Sequence, residues 1–90
     1  MKNVEWDNSK NEWLRQTRNI DFELILTGEL IRVTPHSNLK KYPNQKIMFI
    51  LYLEYVYLVP FVEDSEKIFL KTIIPSRKAT REYFETSEVS

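Results

Sequence analysis

Cysteine is absent from this 90-residue chain, glycine and histidine occur once each, and 13 basic residues cancel 13 acidic ones. Each shortage excludes something. Without cysteine there are no disulfides and no thiolate metal sites, a usage that suits the cytosol. With His36 as the single imidazole, four-ligand zinc sites are out, and no carboxylate spacing suggests a magnesium cluster. Gly28 alone cannot build the glycine-rich loops that cradle nucleotide phosphates, so neither metal nor cofactor is expected. The longest apolar stretch, Ile47 to Val62, is interrupted by Glu54 and falls short of a membrane span. Met1 to Lys10 is polar and lacks the apolar segment of an export signal. The expectation is a single cytoplasmic domain over residues 1–90, with no membrane association and a core of modest size.

The zero net charge hides an uneven distribution. Between Glu29 and Glu54 stand Arg32, Lys40, Lys41 and Lys46 with no acid, and between Glu66 and Glu82 stand Lys67, Lys71, Arg77, Lys78 and Arg81 with none. Acids collect near the N-terminus, at Glu63-Asp64-Ser65-Glu66 and in the tail. Neutrality argues against nucleic acid, whereas two acid-free basic windows argue for one charged face.

Turn and period signals outline an α+β chain. Val4 to Trp6 is a short strand stopped by Asp7, which caps a helix to about Arg18 with Trp13, Leu14 and Thr17 on one side. Ile20 and Ile25 take the staple positions around an Asp21 cap, and Gly28 ends this second helix as a C-cap. Leu30 to Val33 can form a strand, followed by a Pro- and Asn-containing loop from Thr34 to Asn44. Residues 46–53 and 55–62 read as a hairpin, although its Leu53-Glu54 turn lacks the Asn or Gly that tight turns prefer. Pro60 implies an edge or a bulge in the second of these strands. Lys67 to Ile74 reads as one strand, with Ile68, Leu70, Thr72 and Ile74 on one face and Lys67, Phe69, Lys71 and Ile73 on the other. A last helix runs from Ser76 to about Thr86 with Ala79, Tyr83 and Phe84 inward, before a polar tail expected to fray.

The junction Ile73-Ile74-Pro75-Ser76-Arg77-Lys78-Ala79-Thr80 carries the most chemistry. Ser76 is placed to cap the helix, which puts Arg77 and Lys78 in its first turn against the positive end of the dipole. Each such cation costs roughly 0.3 to 1 kcal/mol unless an anion compensates, and a phosphate fits.

Two local patterns in this chain resemble the BrnT family of bacterial toxins, relatives of the RelE-like ribonucleases. Glu5-Trp6-Asp7-Asn8-Ser9-Lys10 resembles the family's Trp-Asp-x-x-Lys entry to its first helix, and Ile20-Asp21-Phe22-Glu23 its opening of the second. The segment from Ile73 to Thr80 resembles Ile-Ile-Ser-Ala-Arg-x-Ala-Thr, with Arg77, Ala79 and Thr80 in register. Departures are Thr17-Arg18-Asn19, where the family has Lys-His-Gly, and the neutral net charge. The resemblance implies a RelE/BrnT-like α+β fold in the order β-α-α-β-β-β-α, with a small mainly antiparallel sheet packed against helices. It further implies an RNA-cutting toxin neutralised by a ribbon-helix-helix (CopG-like) antitoxin, with operator DNA bound only through the complex of the two.

Metal-free RNA cleavage needs a base for the 2′-hydroxyl proton, a cation for the phosphorane and an acid for the leaving oxygen. Arg77 suits the cation, because guanidinium binds two phosphate oxygens at once. Lys71 shares its nominal parity, and His36 alone has an unperturbed pKa suited to proton transfer near neutrality. Lys78, Arg81, Lys46 and Ser76 are candidate phosphate contacts, although Arg81 stands four residues before Glu85 and can pair with it. Lys40 and Lys41 suit loop solubility. Trp6, Tyr52, Tyr55 and Tyr57 offer stacking faces, with core packing the commoner role. The alternative to a nuclease is a non-catalytic module of the same fold that docks an acidic partner or nucleic acid. A third reading is a fold that oligomerises through the tyrosine-rich hairpin.

Overall fold

The computed structural model describes residues 2–88, with side chains described through Thr86. Strand β1 (Asn3–Trp6) stops at Asp7, whose carboxylate accepts the amides of Ser9 at 2.7 Å and Lys10 at 3.3 Å and so opens helix α1 (Asn8–Arg18). Helix α2 (Phe22–Ile25) is one turn long and is held by side chains rather than by length. Asp21 caps it through the Leu24 amide at 2.8 Å, and the staple residues Ile20 and Ile25 are both buried. The Arg15 guanidinium meets the second Asp21 oxygen through Nε at 3.1 Å and Nη2 at 3.0 Å. Buried Asn11 accepts the Phe22 amide at 2.7 Å, which leaves no orphan donor where α1 and α2 meet. The Leu24 amide and then Arg15 hold the Asp21 carboxyl below the usual carboxylate range.

Strands β2 (Glu29–Pro35), β3 (Lys46–Tyr52), β4 (Tyr55–Glu63), β5 (Lys67–Leu70) and β6 (Ile74–Pro75) follow, and helix α3 (Arg77–Glu88) closes the chain. The sheet order is β1-β5-β4-β3-β2, parallel only between β1 and β5, and β6 pairs with β4. The result is an α+β domain with a mixed sheet. The middle of the chain holds two more strands than the expected order, because β2 is a full strand and residues 67–74 split into β5 and β6. On one face Leu14, Ile20, Phe22 and Ile25 pack against Ile50, Val59, Phe61, Leu70 and Ile73. On the other, α3 lies over Val56 with Ala79 turned inward. Among the described residues no helix is long and apolar enough to cross a membrane.

The split strand has a cause in Pro60. The Lys71 amide donates to the Pro60 carbonyl at 2.8 Å, so the side of β4 where the missing Pro60 N–H would point is the side that β5 occupies. With no donor to return the bond, the β4–β5 ladder ends at Phe61 opposite Leu70 and resumes as β6 at Leu58 opposite Ile74. Pro60 is therefore buried in a central strand, at a point where that strand is locally an edge. The uniform alternation expected from 67 to 74 fails there, since Leu70 and Ile73 are both buried and Ile74 is exposed.

The β3–β4 turn falls at Leu53-Glu54 as expected, and both residues take the positive φ, 49° and 63°, of a two-residue hairpin. Trp13 departs from expectation: it lies on the solvent side of α1, whose buried residues are Asn11 and Leu14. Gly28 departs in its reason. It is not a left-handed cap, because no glycine has positive φ and the C-cap of α2 is Leu26. A Cβ at Gly28 would lie 2.5 Å from the Leu51 carbonyl oxygen and 2.8 Å from Ile50 Cγ2, so the residue is small because the α2–β2 corner touches the hairpin backbone. Gly28→Ala should destabilise the fold by about 1 to 3 kcal/mol, the usual cost of overpacking, measured by urea unfolding. A neutral or stabilising change would mean that the corner can move away.

Candidate nucleic-acid interface

The strand-to-helix junction is built around Val56 of β4. The Ser76 amide donates to the Val56 carbonyl at 3.0 Å, and the Val56 amide donates to Thr80 Oγ1 at 2.8 Å. Thr80 Oγ1 donates in turn to the Ser76 carbonyl at 2.7 Å, and Ser76 Oγ accepts the Ala79 amide at 3.1 Å as the helix cap. Three of the motif residues thus have structural duties. Ser76 commits its oxygen to the cap, Ala79 gives the close approach of helix to sheet, and Thr80 satisfies an amide that no strand reaches.

Arg77, Lys78 and Arg81 remain. They are exposed, and they form one outward stripe by their three- and four-residue spacing, while Ala79, Glu82, Tyr83 and Thr86 line a groove on the inner side. None of the three makes an ion pair among the described residues, and the expected pairing of Arg81 with Glu85 does not form. The first turn of α3 therefore places two cations, Arg77 and Lys78, at the positive end of its dipole, and Arg81 follows in the second turn.

The other candidates do not join this group. Lys71 leaves the sheet opposite Pro60 while Ser76 binds opposite Val56, about 13 Å further along β4 at roughly 3.3 Å per residue. Its ammonium reaches back to the Phe69 ring, 5.6 Å from the centroid, away from Arg77. The parity argument that put both in one groove fails because the Pro60 break lies between them. His36 sits beyond the far end of β2, its amide bound to the Gln45 carbonyl at 3.0 Å, on the order of 20 Å from Arg77 by strand spacing. Its Nδ1 accepts the Asn38 amide at 3.0 Å and its ring packs on Tyr42 at 4.5 Å. A neutral imidazole that accepts at Nδ1 carries its proton on Nε2, so His36 has no free lone pair with which to act as a base. Lys46 is bound to Glu63 at 2.8 Å. Lys2 shares that carboxylate, and the Lys2 and then Lys46 ammonium groups hold the Glu63 carboxyl down at about 2.

One cluster escaped the sequence reading. Trp13, 43% exposed, lies between Lys10, whose Nζ is 4.2 Å from the ring centroid, and Arg18, whose Cζ is 5.2 Å away. Arg18 also donates to the Ile73 carbonyl, which anchors the end of α1 to the segment leading into β6 and Arg77. The spacing of Lys10 three residues before Trp13 was a visible signal, whereas the Arg18 contact depends on the strand break. Trp6 is a packing residue that stacks on Phe22 at 5.5 Å, and Tyr57 touches Tyr52 and Tyr55 edge-on or tilted. Among the described residues no group of His, Asp and Glu is arranged to hold a metal ion.

No protein-family model, no curated protein and no solved structure matches the chain. The likeness to BrnT toxins thus rests on the quoted motif residues.

Thr80→Val keeps the side-chain shape but leaves the Val56 amide without an acceptor, and should cost about 1 to 3 kcal/mol in urea unfolding. Arg77→Ala, on an exposed position, should stay within about 0.5 kcal/mol of the parent. The reverse order of effects would show that the motif arginine, and not the threonine, holds the helix to the sheet.

Proposed function

We propose that the protein is the toxin of a bacterial type II toxin–antitoxin pair, of BrnT type and RelE-like fold, that acts on RNA in the cytoplasm. A ribbon-helix-helix antitoxin neutralises it, and operator DNA is bound only by the complex of the two. The observation that carries the reading is the sorting of charge. Lys2, Arg15, Lys46 and Lys67 are taken up by carboxylates, whereas Arg77, Lys78 and Arg81, which share one stripe of α3, have none among the described residues. A chain of zero net charge therefore still presents a basic stripe on α3, just past the point where the sheet hands over to the helix. Such a face suits a phosphate backbone.

In the cleavage reaction the 2′-hydroxyl oxygen attacks the adjacent phosphorus as water takes its proton, Arg77 holds two oxygens of the phosphorane, and the P–O5′ bond breaks with the leaving 5′-oxygen taking a proton from water. The proton acceptor is not His36, which is remote and lacks a free lone pair. That same observation supports a second reading, in which the face grips RNA without breaking a bond.

Purified protein incubated with RNA, with and without chelator, tests both. The nuclease reading expects shortened RNA in chelator and a loss of at least about 100-fold in cleavage for Arg77→Ala, with unchanged unfolding. The binding reading expects retarded, intact RNA and, for Arg77→Ala, a salt slope smaller by about one unit. Retained cleavage or unchanged affinity in Arg77→Ala would remove this face from the function.

A further inference from the structure

β2 is the last strand on its side of the sheet, and among the described residues nothing pairs with its outer edge. Leu30 and Val33 are the most exposed large apolar side chains in any strand, at 55% and 47%. Their positions are not arbitrary. The register with β3 contains a bulge, with Leu30 opposite Ile50, Arg32 opposite Phe49 and Val33 opposite Met48, so that Ile31 is the extra residue. Ile31 and Arg32 both line the groove under α3 with Phe49, whereas Leu30 and Val33 sit opposite Ile50 and Met48 on the core face. Glu29 and Thr34 are opposite Leu51 and Ile47, on the α3 face. The order of faces from Glu29 to Thr34 therefore reads the same in both directions about the Ile31–Arg32 bond.

We propose that this edge pairs with a second copy of the chain, antiparallel about a two-fold axis through that bond. The palindrome selects the occupant, because an antiparallel partner must match faces residue by residue and another β2 does so in one register. Leu30 then lies opposite Val33 of the second copy, twice, which covers both exposed apolar residues of each edge. Glu29 lies opposite Thr34 of the second copy, with its carboxylate diagonal to that copy's Arg32, so opposite charges meet across the interface. Pro35 has no amide to extend the ladder, which limits pairing to this segment and closes the dimer instead of propagating a fibre. The bulge, usually a guard against edge pairing, is here matched by its own copy.

Sedimentation velocity of the full chain from about 10 μM to about 1 mM, the range for a small interface, tests this. The parent should show concentration-dependent dimer formation. Leu30→Glu and Val33→Lys should each weaken it by at least about 10-fold, and the double variant should recover it, because each introduced carboxylate then faces an introduced ammonium of the other copy. A neutral pair, Leu30→Thr and Val33→Thr, should show the same weakening and covers the case in which a charged variant does not fold. A parent that stays monomeric, single variants that associate like the parent, or a double variant that stays monomeric would each overturn the proposal.

Discussion

A missing hydrogen-bond donor in the middle of the sheet organises this molecule. Pro60 accepts from Lys71 and gives nothing back, so β4 loses β5 as a neighbour and regains one only at Leu58. Across that gap the chain leaves the sheet, buries Ile73 in the core and returns as the two-residue β6. The next residues, Ser76 and Thr80, take over both backbone groups of Val56 and so root α3 on the opposite face from α1 and α2.

Charges that tie elements together differ from those left on the α3 stripe. Carboxylates are spent where they tie elements together: Asp21 on the Leu24 amide and Arg15, Glu63 on Lys2 and Lys46, Asp64 on the amides of Glu66 and Lys67. The cations after β5 have no such duty among the described residues. Net charge near zero is thus compatible with a basic face, because potential depends on which charges are neutralised locally and not on their sum.

Much of this was legible from the residues. Asp7, Asp21 and Ser76 were readable as caps because each is a short acceptor followed by helix-period residues, and each does accept amides of the following turn. The hairpin was readable from its β-branched and aromatic runs even though its turn residues, Leu53 and Glu54, are poor ones. The Lys71 and Gly28 readings failed on partners distant in sequence, and the His36 and Trp13 readings on near ones. Strand parity carried Lys71 and Arg77 to one side because nothing local reveals that Pro60, eleven residues before Lys71, faces it. Gly28 read as a cap because the carbonyl of Leu51 that demands its size comes from another strand. His36 was attractive for its intrinsic pKa, yet its Nδ1 is occupied by the amide of Asn38 two residues on, a local turn bond the sequence allowed but did not announce. Trp13 was grouped with Leu14 on one side of α1, and it lies instead at the surface between two cations.

The central claim is that Val56, bonded through its carbonyl to Ser76 and through its amide to Thr80, fixes the helix that carries the basic stripe. Native-state hydrogen exchange of the Val56 amide tests it most directly. The account predicts protection close to that of core amides such as Val59, lost selectively when Thr80 is replaced by valine. Exchange of Val56 at the rate of a solvent-exposed amide in the parent protein would contradict it.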